Sequence, residues 1–104
     1  MTVESKLCQA IQARQQIIYT YTGSKCALGE REGNPHIICR TKNGHVMIHI
    51  WKTGGVSTNS SDPLPDWRFY HLSNIQLLRL GDQFDIEGTF NPYGKMYTHT
   101  ICSV

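Results

Sequence analysis

This sequence lacks most of the features that announce a function. No apolar run approaches the length needed to cross a membrane. There is no G-x-S-x-G elbow, no glycine-rich phosphate loop and no metalloprotease helix. Nothing local marks a thiol as activated by a base, so enzymatic activity is not expected. The formal net charge is only +2, far from the concentrated basic face of most nucleic-acid binders. No internal repeat or coiled-coil heptad is visible. The opening residues, MTVESKLCQAI, have no basic segment followed by an apolar one. A secretory signal is therefore not expected, and the cytoplasm is the expected location. The 4 cysteines (Cys8, Cys26, Cys39 and Cys102) are widely and irregularly spaced, so they are expected to be reduced and mostly buried.

The chain of 104 residues is long enough for one domain, spanning 1–104, around one core. Its charge is unevenly spread. Between residues 36 and 80, Arg40, Lys42, Lys52, Arg68 and Arg79 are set against only Asp62 and Asp66, whereas Asp82, Asp85 and Glu87 gather later. The middle of the chain is mildly basic.

Hydrophobic periodicity divides the chain into one helix and several strands. Val3, Leu7, Ala10, Ile11 and Arg14 recur at helical spacing, with Thr2 as the expected N-cap. From QQIIYTYTG onward the period becomes two: Ile17, Tyr19 and Tyr21 alternate with Ile18, Thr20 and Thr22. KCALGEREGN reads as a weak second strand punctuated by glycines. HIICRTKNGHVMIHIWKTGG reads as a hairpin turning at Asn43-Gly44, a two-residue loop that needs positive φ at both positions. Beyond it, Val46, Ile48 and Ile50 form a core face, while His45, Met47, His49 and Trp51 form a ligand surface or a second packing layer. Residues 53–66 are rich in Gly, Ser, Asn and Pro and read as a long loop, either covering a site or idle. Further strands follow at 66–80 and near the C-terminus. The sum, one helix and five or six short strands, suggests a mainly β (α+β) fold, a small barrel preceded by an N-terminal helix.

Two constellations deserve weighing. The pairs His36…Cys39 and His99…Cys102 could supply four zinc ligands, but residues three apart on a strand point to opposite faces, so no metal site is expected. In DWRFYHLSNIQLLRL, a strand would send Trp67, Phe69 and His71 one way and Arg68, Tyr70 and Leu72 the other. Aromatics interleaved with an arginine can stack bases and hold phosphate; equally, they can be core rings beside a snorkelling arginine.

LCQAIQARQQIIYTYTG and WRFYHLSNIQLL resemble, in order and spacing, the opening and the later motif of the WYL domain. Gly54-Gly55-Val56-Ser57, Trp67-Arg68, Phe84 and Asn91-Pro92 extend the likeness to the short stand-alone bacterial WYL-like proteins. The triplet that gives the family its name reads His45-Val46-Met47 here. The resemblance implies an Sm-like or SH3-like small β-barrel that binds a nucleic-acid or nucleotide ligand in a regulatory role. By position, Tyr21, Arg68, His71 and Asn74 would line the ligand surface. On this reading Arg68 contacts phosphate, Tyr21 and Tyr70 offer stacking faces, and His71 and Lys25 are secondary donors. The expected ligand is single-stranded nucleic acid or a nucleotide, with no cofactor and no membrane partner. The alternative is a protein-interaction or homo-oligomerisation module whose aromatic and His-bearing faces meet a partner instead.

Overall fold

Why the chain starts as a helix is visible in its caps. In the computed structural model, which describes residues 2–23, 26–58, 61 and 63–104, helix α1 spans Val3–Ala13. The Thr2 hydroxyl accepts the Ser5 N–H at 3.1 Å, and Glu4 sits in the first turn, where the helix dipole favours a carboxylate. Leu7, Ala10 and Ile11 form the buried face. Arg14, expected on that face, instead ends the helix in a left-handed conformation (φ 52°, ψ 50°), and its N–H returns to Ile11 O at 3.1 Å. This cap turns the chain directly into the first strand.

Strands β1 (Gln15–Tyr21), β2 (Arg31–Arg40), β3 (Val46–Gly55), β4 (Asp66–His71), β5 (Ile75–Gln83) and β6 (His99–Ser103) form one antiparallel sheet. Its order is β4-β3-β2-β1-β5. The first part of β2 pairs with β1 and its second part with β6. A 3-10 turn, Leu72–Asn74, joins β4 to β5. Among the described residues the sheet runs from β4 to β5 without a closing ladder. The expectation of a mainly β fold behind one helix therefore holds, with six strands. α1 packs over the core face, where Leu7, Ile11, Ile17, Tyr19, Ile38, Ile48 and Ile50 have no exposure. Burying such side chains contributes on the order of 2 kcal/mol each.

Several local expectations are corrected. Of KCALGEREGN only the end is strand: β2 begins at Arg31, and residues 26–30 lead into it without strand pairing. It then continues through Gly33 and Pro35, which read as breaks. Gly33 is needed because a Cβ there would lie 2.5 Å from Ile50 Cγ2, and a bulge follows Pro35, re-aiming His36 away from the regular register. The hairpin does not turn in two residues. Thr41 N–H donates to His45 O and Gly44 N–H to Thr41 O, both at 2.9 Å, so a three-residue loop carries a bulge at Gly44. Only Gly44 takes positive φ (84°) in that turn; Asn43 does not. The loop expected over residues 53–66 is shorter, because β3 runs on to Gly55.

The expected reduced state is overturned for one pair of cysteines. Packing of α1 against β6 brings the Cα atoms of Cys8 and Cys102 to 5.9 Å, and the two form a disulfide across 94 residues. Cys26 and Cys39 are free thiols, and burial pushes the Cys39 thiol pKa up.

β4 is a regular strand. Its partners run from Met47↔His71 to Lys52↔Asp66 without a register shift. Strict alternation therefore puts Arg68 and Tyr70 on one face and Trp67, Phe69 and His71 on the other.

Candidate anion pocket

The core-facing side of β3 and β4 does not stay apolar to its end. Val46, Ile48 and Ile50 are followed at the same parity by Lys52, which has no exposure at all. Its ammonium donates to Val56 O and to Ser57 Oγ, both at 2.5 Å. On β4, Arg68 has the same orientation, and its Nη1 donates to Asp66 Oδ2 at 3.2 Å and to Trp67 O at 2.9 Å. From the start of β2, Arg31 brings a third cation, 3% exposed. The three line one cavity of about 340 Å3 together with Tyr21, Tyr70, Phe69, Ser57 and Thr58. That volume lies in the usual range for a small-molecule site.

Arg31 organises this cavity. Its Nη1 donates to the Tyr70 hydroxyl at 3.4 Å, and its Nη2 to Ala27 O and Thr58 Oγ1 at 3.2 Å each. The guanidinium carbon lies 5.8 Å from the Tyr21 ring centre and 5.9 Å from that of Tyr70, within cation-π reach of both. Behind them, the Tyr19 and Tyr70 hydroxyls are 3.0 Å apart. Burial, reinforced by Tyr70, holds the Tyr19 phenol far above its ordinary pKa, so it remains a neutral hydrogen-bonding group. The pocket thus combines fixed positive charge, hydroxyl groups and aromatic faces. Such a set can take an anion that carries a flat ring.

Gly55 permits the close approach that frames this site. It has φ +84°, and a Cβ there would run into Glu30 O and Arg31 Cα. Its pairing with Arg31 fixes where β2 begins beside β3.

Of the residues the sequence nominates, the structure brings Tyr21, Arg68 and Tyr70 together. His71 points away: it packs against His45, with ring centres 5.3 Å apart, and lines a different cleft with Thr2 and Leu72. The cause is the unbroken register of β4, which opposes the parity of His71 to that of Arg68. Asn74 sits in the 3-10 corner, where its carbonyl accepts Thr22 N–H at 3.0 Å, and it does not line the cavity. Lys25 lies outside the described residues. The long loop does meet the site, through Ser57 and Thr58. Sequence reasoning missed Arg31 and Lys52. For Lys52 a signal existed, a lysine in the core parity of a strand; for Arg31 there was none.

The opposite face of the β3–β4 pair is a second packing layer rather than an open surface. His49, Trp51, Trp67 and Phe69 contact one another there, Phe90 and Tyr97 cover them, and Phe84 packs on the neighbouring His36. His36 anchors this cover: its Nδ1 bonds Asn34 O at 2.8 Å, and its Nε2 accepts the Glu87 N–H at 3.0 Å. With both ring nitrogens engaged and Cys102 in a disulfide, the two His-Cys pairs do not form a zinc site. No group of His, Cys, Asp and Glu among the described residues is suited to hold a metal ion. A larger groove of about 510 Å3 lies between the end of α1 and residues 83–85, but it sets Arg14 against Asp85 and offers no concentrated charge.

No protein-family model, curated protein or solved structure matches the chain.

Proposed function

We propose that this chain is a WYL-like, non-enzymatic module that binds a phosphorylated nucleoside, either a free nucleotide or one unit of a single strand. The observation that carries the reading is the convergence of Arg31, Lys52 and Arg68 on one cavity walled by Tyr21 and Tyr70. Phosphate would sit against the cations and the Ser57 and Thr58 hydroxyls, and the base would lie on a tyrosine face. The cavity, about 340 Å3, suits one nucleotide rather than a duplex, whose recognition needs an exposed surface. The small-barrel reading is supported by the strand order and by the 3-10 corner that swings the chain from β4 to the far edge at β5. A regulatory role in the cytoplasm belongs to the same proposal, and the Cys8–Cys102 disulfide is the feature that sits least easily with that compartment.

A labelled single-stranded oligonucleotide tests it by fluorescence anisotropy, with nucleoside monophosphates as competitors. Binding should be saturable and should weaken steeply as salt rises. Arg68→Ala should lower affinity about tenfold or more while leaving the thermal midpoint nearly unchanged. A titration indifferent to that substitution would sink the assignment.

A second reading is self-association. It is favoured by Leu78 and Leu80, 39% and 48% exposed on β5 at the edge of the sheet. A concentration-dependent dimer in light scattering that persists without ligand would favour it.

A further inference from the structure

Arg31 is a buried cation that meets no carboxylate among the described residues. Its Nη1 and Nη2 donate to the Tyr70 hydroxyl, the Ala27 carbonyl and the Thr58 hydroxyl, all of them neutral. Glu30, its neighbour in sequence, is turned to Arg79 instead, at 2.8 Å. The Arg31 Nε is buried and has no hydrogen-bond partner. Both features are costly. A guanidinium withdrawn from water needs an anion, and a buried N–H needs an acceptor. One occupant of the cavity would supply both.

The hydroxyls around Arg31 meet such an occupant as donors. Thr58 Oγ1 accepts from Arg31 Nη2 at 3.2 Å and from Ala27 N at 3.5 Å. The Tyr70 oxygen accepts from Arg31 Nη1 at 3.4 Å and from the Tyr19 hydroxyl at 3.0 Å. Two accepted bonds use both lone pairs, so each has only its proton left to offer. Ser57 Oγ already accepts from Lys52. No carboxylate, amide or imidazole side chain lines the cavity. Its lining gives hydrogen bonds and has little capacity to receive them.

That asymmetry separates two kinds of phosphate. An internal phosphodiester has a single charge and two non-bridging oxygens. A phosphomonoester carries about −1.5 to −2 at pH 7 and presents three terminal oxygens, all acceptors. These can take the Arg31 Nε–H together with the Ser57, Thr58 and Tyr70 protons, while Lys52 and Arg68 add charge. Once protonated, the monoester brings an O–H of its own, for which the lining has no acceptor side chain. Building on the nucleotide reading above, we propose that the pocket selects a terminal phosphomonoester dianion, carried by a free nucleotide or by a strand end, over an internal phosphodiester.

Calorimetric titration of the intact protein tests this. Each nucleoside 5′-monophosphate is compared with its methyl phosphodiester, and a short mixed-sequence single strand is compared with the same strand phosphorylated at its 5′ or its 3′ end. The monoester of each pair should bind at least about tenfold more tightly. Tighter binding of a monophosphate than of either phosphorylated strand assigns the free nucleotide, and the reverse assigns the strand end; both support the proposal. Between pH 7.5 and 5.5 the ratio of monophosphate to diester affinity should fall about fourfold, as the phosphate takes up its second proton near pH 6. Equal affinities within the pairs, or a ratio that does not change with pH, overturn the proposal and leave the nucleotide reading standing. No binding by any of these probes sinks both. Arg31→Lys keeps the charge but removes the Nε–H, and should erase most of the preference. If that variant does not fold, Thr58→Val at an exposed position should reduce the preference, and the paired ligands on the unaltered protein still decide.

Discussion

The two faces of the β3–β4 pair are built from the same twelve ladder positions and end up chemically opposite. One face carries Ile48, Ile50, Lys52, Arg68 and Tyr70 and converges on fixed positive charge. The other carries His49, Trp51, Trp67 and Phe69 and converges on neutral ring faces. A side-chain period of two makes this separation automatic once the register is regular. The contrast lies in what each face does with polar groups. The first holds its cations with backbone carbonyls, hydroxyls and a carboxylate: Lys52 donates to Val56 O and Ser57 Oγ, and Arg68 pairs with Asp66. The second pairs its polar tips with each other and presents carbon.

Acid should break the aromatic side first, and this is the largest expected effect. His36 and His49 both have pKa values lowered by burial, His49 to about 4. Around them, the hydrogen bond to the Asn34 carbonyl and the Glu87 carboxylate pull His36 back up, and His36 disfavours charge on His49. The unfolded chain takes up these protons near the ordinary value of 6.5, before the folded chain does. Stability is therefore full above about 6.5 and falls as the pH drops toward 4, on the order of 3 kcal/mol for His49 alone. Urea midpoints measured between pH 7 and 4 should decline over that window. His49→Gln should flatten much of the decline, whereas a decline of unchanged size would remove His49 as its cause.

On the cationic side, Lys52→Met should cost about 2 kcal/mol. The substitution keeps the volume but leaves Val56 O and Ser57 Oγ without their buried donor. The gain from replacing a buried charge by apolar surface offsets part of that loss. The same change should reduce nucleotide affinity while leaving the aromatic face as it was, so the Trp67 indole resonance should not move. A shifted Trp67 resonance would show that the two faces are mechanically coupled rather than independent.

How much of this is legible in the sequence depends on the range of the signal. α1, β1 and the two faces of β3 follow from spacing within a few residues, and all are found. β2 is hidden because Gly33 and Pro35 look like breaks. Their roles, a close approach to Ile50 and a bulge at His36, are set by β3 across the sheet. The same holds at the pocket. Tyr21, Arg68 and Tyr70 can be nominated from strand parity and motif, but Arg31 reaches them only because β2 pairs with both β1 and β3. His71 is the instructive miss: placing it beside Arg68 requires an irregular strand, and β4 is regular. The Cys8–Cys102 bridge spans 94 residues, and no spacing rule could propose it.

The smallest expected effect is also the finest probe of the aromatic face. Thr89→Val is nearly isosteric and removes one hydroxyl, the acceptor of the Trp67 indole N–H at 2.9 Å. Because Thr89 is exposed, water can replace the lost partner, so the cost should be only about 0.5–1 kcal/mol. The consequence for the aromatic face is larger than for stability. Without that hydroxyl the indole is no longer held at its tilt to Phe90, and the packing of the cover loosens at the Trp67–Phe90 contact. Urea unfolding should therefore shift slightly, while the Trp67 indole resonance moves and amide exchange in residues 84–97 speeds up. If exchange there is unchanged, the cover is held by the Glu87–His36 and Tyr97–His49 hydrogen bonds, and Thr89 is only a surface residue.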